Sequence, residues 1–216
     1  MTRSVLALIL LLGFCAPAFA ADKPANSIFL VARGGLTDPN FRNAVVLVTH
    51  EQSEPTGVII NVPTNMPLGE VYPDIERLST APDKLFFGGP VHPNVLTFIV
   101  RAATPPEGAI EVLEGVYLSS SREVLRKWLS ERGTDNLRVY SGYAAWDTEQ
   151  LAAEISRGDW RWTQADGKAI FEMKPQVIWW ELNRRAPRGI PGSEPDLSSV
   201  AARTGNGRDT PQRLRD

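Results

Sequence analysis

Four short segments of this chain set glycine or proline beside the ends of aliphatic runs, and they carry its candidates for binding chemistry. The first is Gly34-Gly35-Leu36-Thr37-Asp38-Pro39-Asn40-Phe41, where paired glycines can take positive φ and leave N–H groups open to an anion or carbonyl. The plainer reading is a tight connection in which Asp38 caps the next turn. The second is Gly57-Val58-Ile59-Ile60-Asn61-Val62-Pro63. Asn61 either presents its amide to a ligand or ties down the turn before Pro63. The third, Phe86-Phe87-Gly88-Gly89-Pro90-Val91, ends an aliphatic run on two glycines. It lacks the Lys and Ser/Thr of a phosphate loop, which excludes that nucleotide-binding motif. The fourth is Arg138 to Asp147, in which Tyr143 and Trp146 straddle a strand-to-helix turn. They either wall an apolar pocket with polar tips or staple helix to sheet. Asp38, Asn61, Gly88, Gly89, Tyr143 and Trp146 are the candidate binding residues.

Catalytic and metal chemistry find less support. The two histidines are His50 and His92, and Ser119, Ser120 and Ser121 offer hydroxyls. A hydrolase using His50 or His92 as base is the enzymatic alternative, yet there is no G-x-S-x-G elbow and nothing in the spacing unites base and nucleophile. Neither histidine has a partner at ligand spacing, so no metal and no cofactor are expected. The expected partner is a small ligand or a protein of unspecified kind. Nucleic acid is disfavoured, because Arg122, Arg126 and Lys127 on one predicted helix are offset by Glu123 and Glu131.

The N-terminus bounds where this chemistry would happen. Arg3, the apolar run Val5 to Phe14 and the small-x-small Ala18-Phe19-Ala20 make a signal peptide over residues 1–20. The run is well short of the roughly twenty residues that span a bilayer, which favours a cleaved peptide over the alternative of a retained anchor. Cleavage after Ala20 predicts a periplasmic or secreted chain with no transmembrane span, and Cys15, the single cysteine, leaves with the peptide. Loss of Arg3 takes 23 basic residues to 22 against 25 acidic ones, so the formal charge moves from −2 to −3. Mild acidity is a poor match for a polyanion.

Residues 21–27 read as a leader, 28–185 as one domain, and 186–216, rich in Pro, Gly, Ser and Arg, as a disordered tail. Within the domain, Ile28–Ala32, Ala44–Thr49, Thr56–Asn61, Lys84–Phe87, Val95–Ala102, Gly115–Ser119, Leu137–Tyr140 and Asp159–Thr163 have strand character. Residues 50–55 suit a hairpin connection. Leu68 to Leu78 suits a helix interrupted at Pro73. Ser120 with Glu123, and Asp147 with Gln150, read as capping boxes. Gly158 is placed to end the second of these helices, and Pro175 to open a last one carrying Ile178, Trp179 and Leu182. Strands and helices interleave without strict βαβ alternation, which indicates an α+β fold.

The segments FLVARGGLTDPNFRNAVVLVTHE, TGVIINVP, FFGGPV, GVYLSSSREVL and RVYSGYAAWDTEQLAAEISRGDW, in this order, resemble the YqgE/AlgH family over Ile28 to Leu182. The resemblance implies a single domain whose bifurcated β-sheet rolls into a pseudo-barrel with flanking helices. It brings no established reaction. The AlgH association with transcriptional regulation of alginate synthesis is genetic, which leaves a transcriptional regulator as a second alternative to a noncatalytic binding or regulatory module. Three positions depart from the family pattern. Val62 stands where a basic residue is usual, Ala145 where glycine is common, and Glu149-Gln150-Leu151-Ala152 where members carry GQLE. The missing cation beside Asn61 weakens an anion site there, and export separates this chain from members that look cytoplasmic.

Overall fold

The first two strands are continuous aliphatic runs because both of their faces are buried. In β1 (Ser27–Ala32), Phe29 and Val31 enter one core cluster while Leu30 and Ala32 enter another, and β2 (Val45–Thr49) divides its side chains in the same way. Alternation of side chains across a strand turns an unbroken hydrophobic sequence into two packed surfaces. The structure, a computed structural model, describes residues 27–49 and 54–186. The expected signal peptide over 1–20, most of the expected leader, His50 and residues 187–216 of the expected tail lie outside the described residues. Among the described residues, no helix is long and apolar enough to cross a membrane.

The remaining strands are β3 (Thr56–Ile59), β4 (Pro63–Pro67), β5 (Lys84–Phe87), β6 (Val91–Arg101), β7 (Ile110–Leu113), β8 (Val116–Ser119), β9 (Leu137–Ala145) and β10 (Trp160–Gln164). The helices are α1 (Leu68–Val71), α2 (Glu76–Ser79), α3 (Arg122–Arg132), α4 (Thr148–Ser156), α5 (Gly167–Phe171) and α6 (Pro175–Arg185). The fold is α+β. Its ten-stranded sheet runs β10-β1-β2-β3-β9-β6-β8-β7, with β4 attached through β5. The sheet curls into a half-barrel, and the helices flank it.

The fork in the sheet lies on β9. One edge of β9 pairs with β6. The other edge is shared: β5 lies parallel to it at Tyr140 and Ser141, and β3 lies antiparallel at Ala144 and Ala145. Between the two stretches, Gly142 takes φ 69°. A bend at this point lets one strand serve two arms of the sheet.

Several predicted elements differ in detail, each for a local reason. The Leu68–Leu78 helix is two single turns, α1 and α2, separated around Pro73. The cap of α3 is Ser121 and not Ser120: its Oγ accepts from Val124 N at 3.4 Å. Ser119 ends β8 buried and accepts the Ser121 N–H, so Ser120 is used in the turn, and Glu123 sits one position too early for a capping box. Asp147 does cap α4, accepting from Gln150 N at 2.6 Å. Gln150 itself reaches forward to Glu154. Gly158 takes φ 77°, and the bonds Gly158 N to Ile155 O and Asp159 N to Glu154 O close a Schellman motif. Pro175 opens α6, whose Trp179 Nε1 donates to Ala32 O at 2.8 Å and fastens that helix to β1.

Tyr140 of β9 is fully buried, and its hydroxyl has no hydrogen-bond partner among the described residues. Burial pushes its pKa well above the ordinary tyrosine value, against the opposing pull of Arg138. A buried donor without an acceptor costs stability. Tyr140→Phe is therefore expected to be neutral or stabilising by up to ~1 kcal/mol in urea denaturation. Destabilisation instead would reveal a partner for the hydroxyl.

Candidate functional site

The second, third and fourth of the glycine- and proline-bearing segments hydrogen-bond to one another, and the first reaches the fourth through the Phe41 ring beside Trp146. Gly88 N donates to Ser141 O at 2.8 Å, and Ile59 N donates to Gly88 O at 2.8 Å, so Gly88 bridges β3 and β9 inside the fork. A Cβ on Gly88 would lie 2.3 Å from Gly142 O, and one on Gly89 would lie 2.2 Å from the Tyr143 carbonyl carbon. Side chains do not survive at such separations. Glycine at 88 and 89 thus permits close backbone approach, and the approaching backbone is the chain's own.

Asn61 is consumed in the same way. Its Oδ1 accepts from Val45 N at 2.8 Å, and its Nδ2 donates to Asn43 O at 2.9 Å. The amide ties the end of the first loop to the start of β2. Val62 O accepts from Phe87 N at 2.9 Å, which joins the second and third segments. In the first segment Asp38 Oδ1 accepts from Asn40 N at 2.9 Å, the capping role the sequence allows, and the residue stays exposed. Gly35, at φ 94°, carries the positive φ of the pair.

The two candidate aromatics part company. Tyr143 is half-buried against the core that holds Phe29, Val31 and Tyr140, whereas Trp146 is buried with Leu30, Ala32 and Leu151. They do not share one core cluster. Tyr143 meets His92 instead, with ring centroids 5.8 Å apart. His92 is exposed, takes φ 45°, and sits where the β6–β9 register shifts. Nearby, Ser141 Oγ donates to Pro93 O at 2.7 Å. Among the described residues, no serine or carboxylate is hydrogen-bonded to His92.

Sequence reasoning passed over the residue that organises Trp146. Glu154 of α4 accepts the indole N–H of Trp146 at 3.0 Å and that of Trp160 at 2.8 Å, both on Oε2, while its Oε1 accepts from Gln150 Nε2 at 2.8 Å. Phe41 closes the cluster, 6.0 Å from Trp146 and edge-on to Trp160 at 5.5 Å. The available signal was the spacing of Gln150 and Glu154, one helical turn apart on the face towards Trp146.

The basic side chains of α3 are also engaged. Arg122 and Arg126 both pair with the Asp74 carboxylate, and Lys127 lies 3.7 Å from Glu107. No group of three or more His, Cys, Asp or Glu side chains that could hold a metal ion occurs among the described residues. A cleft of ≈ 720 Å³ opens between the loop at 104–108 and α3, lined by none of the six candidate residues.

A half-barrel with a forked sheet, and a corner built from glycine loops, defines the class. The AlgH-like family model (DUF179) matches residues 29–189, and the chain belongs to that family. A UPF0301 protein of Thioalkalivibrio sulfidiphilus is 34% identical over 155 residues, covering 70% of this chain and 83% of that protein. One from Methylococcus capsulatus is 32% identical over 186 residues, covering 83% of this chain and 94% of that one. Among solved structures, the AlgH protein of Pseudomonas aeruginosa superposes with TM-score 0.61 at 24% identity, covering 87% of this chain and 98% of its own. Protein DIP2367 of Corynebacterium diphtheriae gives TM-score 0.64 at 21% identity, with 79% and 91% covered.

Glu154→Ala is expected to lower stability by about 2 kcal/mol, because two largely buried indole N–H groups lose their acceptor. Chemical denaturation measures it. A loss within the few tenths typical of a surface substitution would show that water replaces the carboxylate at no cost.

Proposed function

We propose that this AlgH-like chain is a noncatalytic binding or interaction module working in the periplasm or outside the cell. One observation supports the noncatalytic part: Asn61, Gly88 and Trp146, in the second, third and fourth motif segments, spend their hydrogen bonds on the chain's own atoms. Asn61 holds Asn43 and Val45, Gly88 holds Ser141, and Trp146 holds Glu154. Groups so occupied form a frame and have no free valence for acid–base work. What the corner turns outward is the half-buried Tyr143 ring and the exposed His92 beside it, a surface suited to contact. Tyrosine offers a large rigid ring at little conformational cost, which is why such residues recur in recognition surfaces.

The location rests on Arg3, the Val5–Phe14 run and Ala18-Phe19-Ala20. A protein outside the cytoplasm does not reach a promoter. The shared pairing of Arg122 and Arg126 with Asp74 also offsets part of the positive charge that a nucleic-acid reading of α3 would use.

Two outcomes are expected. Intact mass of the native protein corresponds to a chain beginning at Ala21, recovered in the periplasmic or extracellular fraction; a full-length cytoplasmic chain would remove the export reading. Tyr143→Ala abolishes capture of the ligand or partner from envelope extracts while the melting temperature holds. A fall in melting temperature with capture intact would make Tyr143 a packing residue only.

A further inference from the structure

The outer face of α6 carries the largest exposed apolar side chain among the described residues. The inner face holds the helix in one orientation: Ile178, Trp179 and Leu182 are buried in the core, and Trp179 Nε1 donates to Ala32 O. The opposite stripe is thereby fixed outward, with Val177, Trp180 and Arg184 at i, i+3 and i+7. Trp180 is 67% exposed and Val177 43%. Met66, Val95 and Ile110, the other large exposed apolar residues among those described, lie singly on β4, β6 and β7. Apolar side chains scattered in that way are ordinary. Two on one face of an anchored helix, one of them an indole, form a patch.

Positive charge surrounds that patch. Lys174, the N-cap of α6, is exposed and has no ion pair among the described residues. At the other end, Arg184 and Arg185 share one carboxylate, Glu181, at 2.8 and 3.4 Å. Glu172, just before the helix, is taken by Arg101. Arg33 is exposed and also without an ion pair among the described residues, in the loop where Gly34 lies against the Trp179 ring. Lys174, Arg184 and Arg185 against Glu181 leave α6 positive in a chain whose formal charge is −2.

An indole ringed by cations suits the headgroup region of a bilayer. The ring is at home where one side is apolar and the other wet, and Lys and Arg meet lipid phosphates. A stable protein interface buries about 800 Å² on each partner and depletes lysine at its centre, which a two-residue apolar stripe ringed by cations does not match. We infer that α6 is a peripheral membrane-contact surface for anionic lipid. Val177 and Trp180 enter the headgroup region, while Lys174, Arg33, Arg184 and Arg185 meet its phosphates. The contact is reversible, because two side chains bury little apolar surface. The inference goes beyond the binding-module reading and uses neither Tyr143 nor His92.

The test is flotation and tryptophan emission of the native protein with vesicles of phosphatidylglycerol and phosphatidylcholine. Trp180 is the most exposed of the described indoles. Its emission is expected to move to the blue and to be quenched by lipids with brominated acyl chains, as the protein floats with the vesicles. Trp180→Ser should abolish the quenching and most of the flotation while the melting temperature holds. Lys174→Gln and Arg33→Gln, which keep the indole, should each lower partitioning about fivefold. Vesicles of phosphatidylcholine alone should capture far less. If anionic vesicles leave the emission unchanged, or if Trp180→Ser floats as well as the unsubstituted protein, the inference fails. Equal capture by both kinds of vesicle would overturn it too. Tyr143→Ala should float normally, so a failure of the corner reading is read separately.

Discussion

Everything in this molecule depends on three backbones being allowed to touch at one point. At the fork, Gly88 and Gly89 leave β5 and press against Gly142 and Tyr143 of β9, while β3 closes from the other side through Ile59. A single methyl group at 88, 89 or 142 would overlap a main-chain atom at 2.2 to 2.3 Å. With that contact in place, β9 can carry β5 on one stretch and β3 on the next, and the sheet can curl. The two faces of β1 and β2 then become two separate cores, one covered by α5 and α6 and the other by α4.

The same contact changes the meaning of the motifs. Glycine pairs beside strand ends are ambiguous, because the space a missing side chain leaves can admit a phosphate, a carbonyl or another strand. Here another strand occupies it. The second, third and fourth loops come together by hydrogen-bonding to each other. The outward remainder is an aromatic and an imidazole ring at a bulge, where the register shift between Val91 and Leu96 turns β6 away from regular pairing.

How much of this was legible depended on whether a residue's local sequence revealed its partner. Strands buried on both faces announce themselves, so β1, β2 and β3 were readable from aliphatic density alone. Pro175 and Gly158 marked helix ends through backbone rules that need no tertiary information. β4 was not readable, since Pro63 and Pro67 bound it, its side chains are mostly exposed, and its pairing with β5 is broken by a register shift. β7 carries Glu111 between its apolar residues and exposes Ile110, and α5 is a single five-residue turn opened by Gly167, so neither has the unbroken aliphatic run that marks β3. In the candidate site, Asp38 behaved as its local capping chemistry indicated. Asn61 did not tie down the turn before Pro63; it bound residues 16 and 18 positions away, which no window along the chain contains. Glu154 reads as a solvated charge on a helix until Trp146 and Trp160 are brought to it.

The position of β9 along the chain also sets the order in which the molecule can be assembled. Thr56 must wait for Ala145, and Phe86 for Tyr140, before either arm of the sheet has its shared edge. Early hairpins such as β1–β2 and β2–β3 can form while the chain is still growing, but they have nothing to curl around. Contacts so distant in sequence impose a large loop-closure cost before any burial rewards it, and such topologies fold slowly. For this chain, closure is a late event: until residue 145 is available, the nascent polypeptide is a set of unclosed β-segments with their edges open to any chaperone or conduit that handles extended chains.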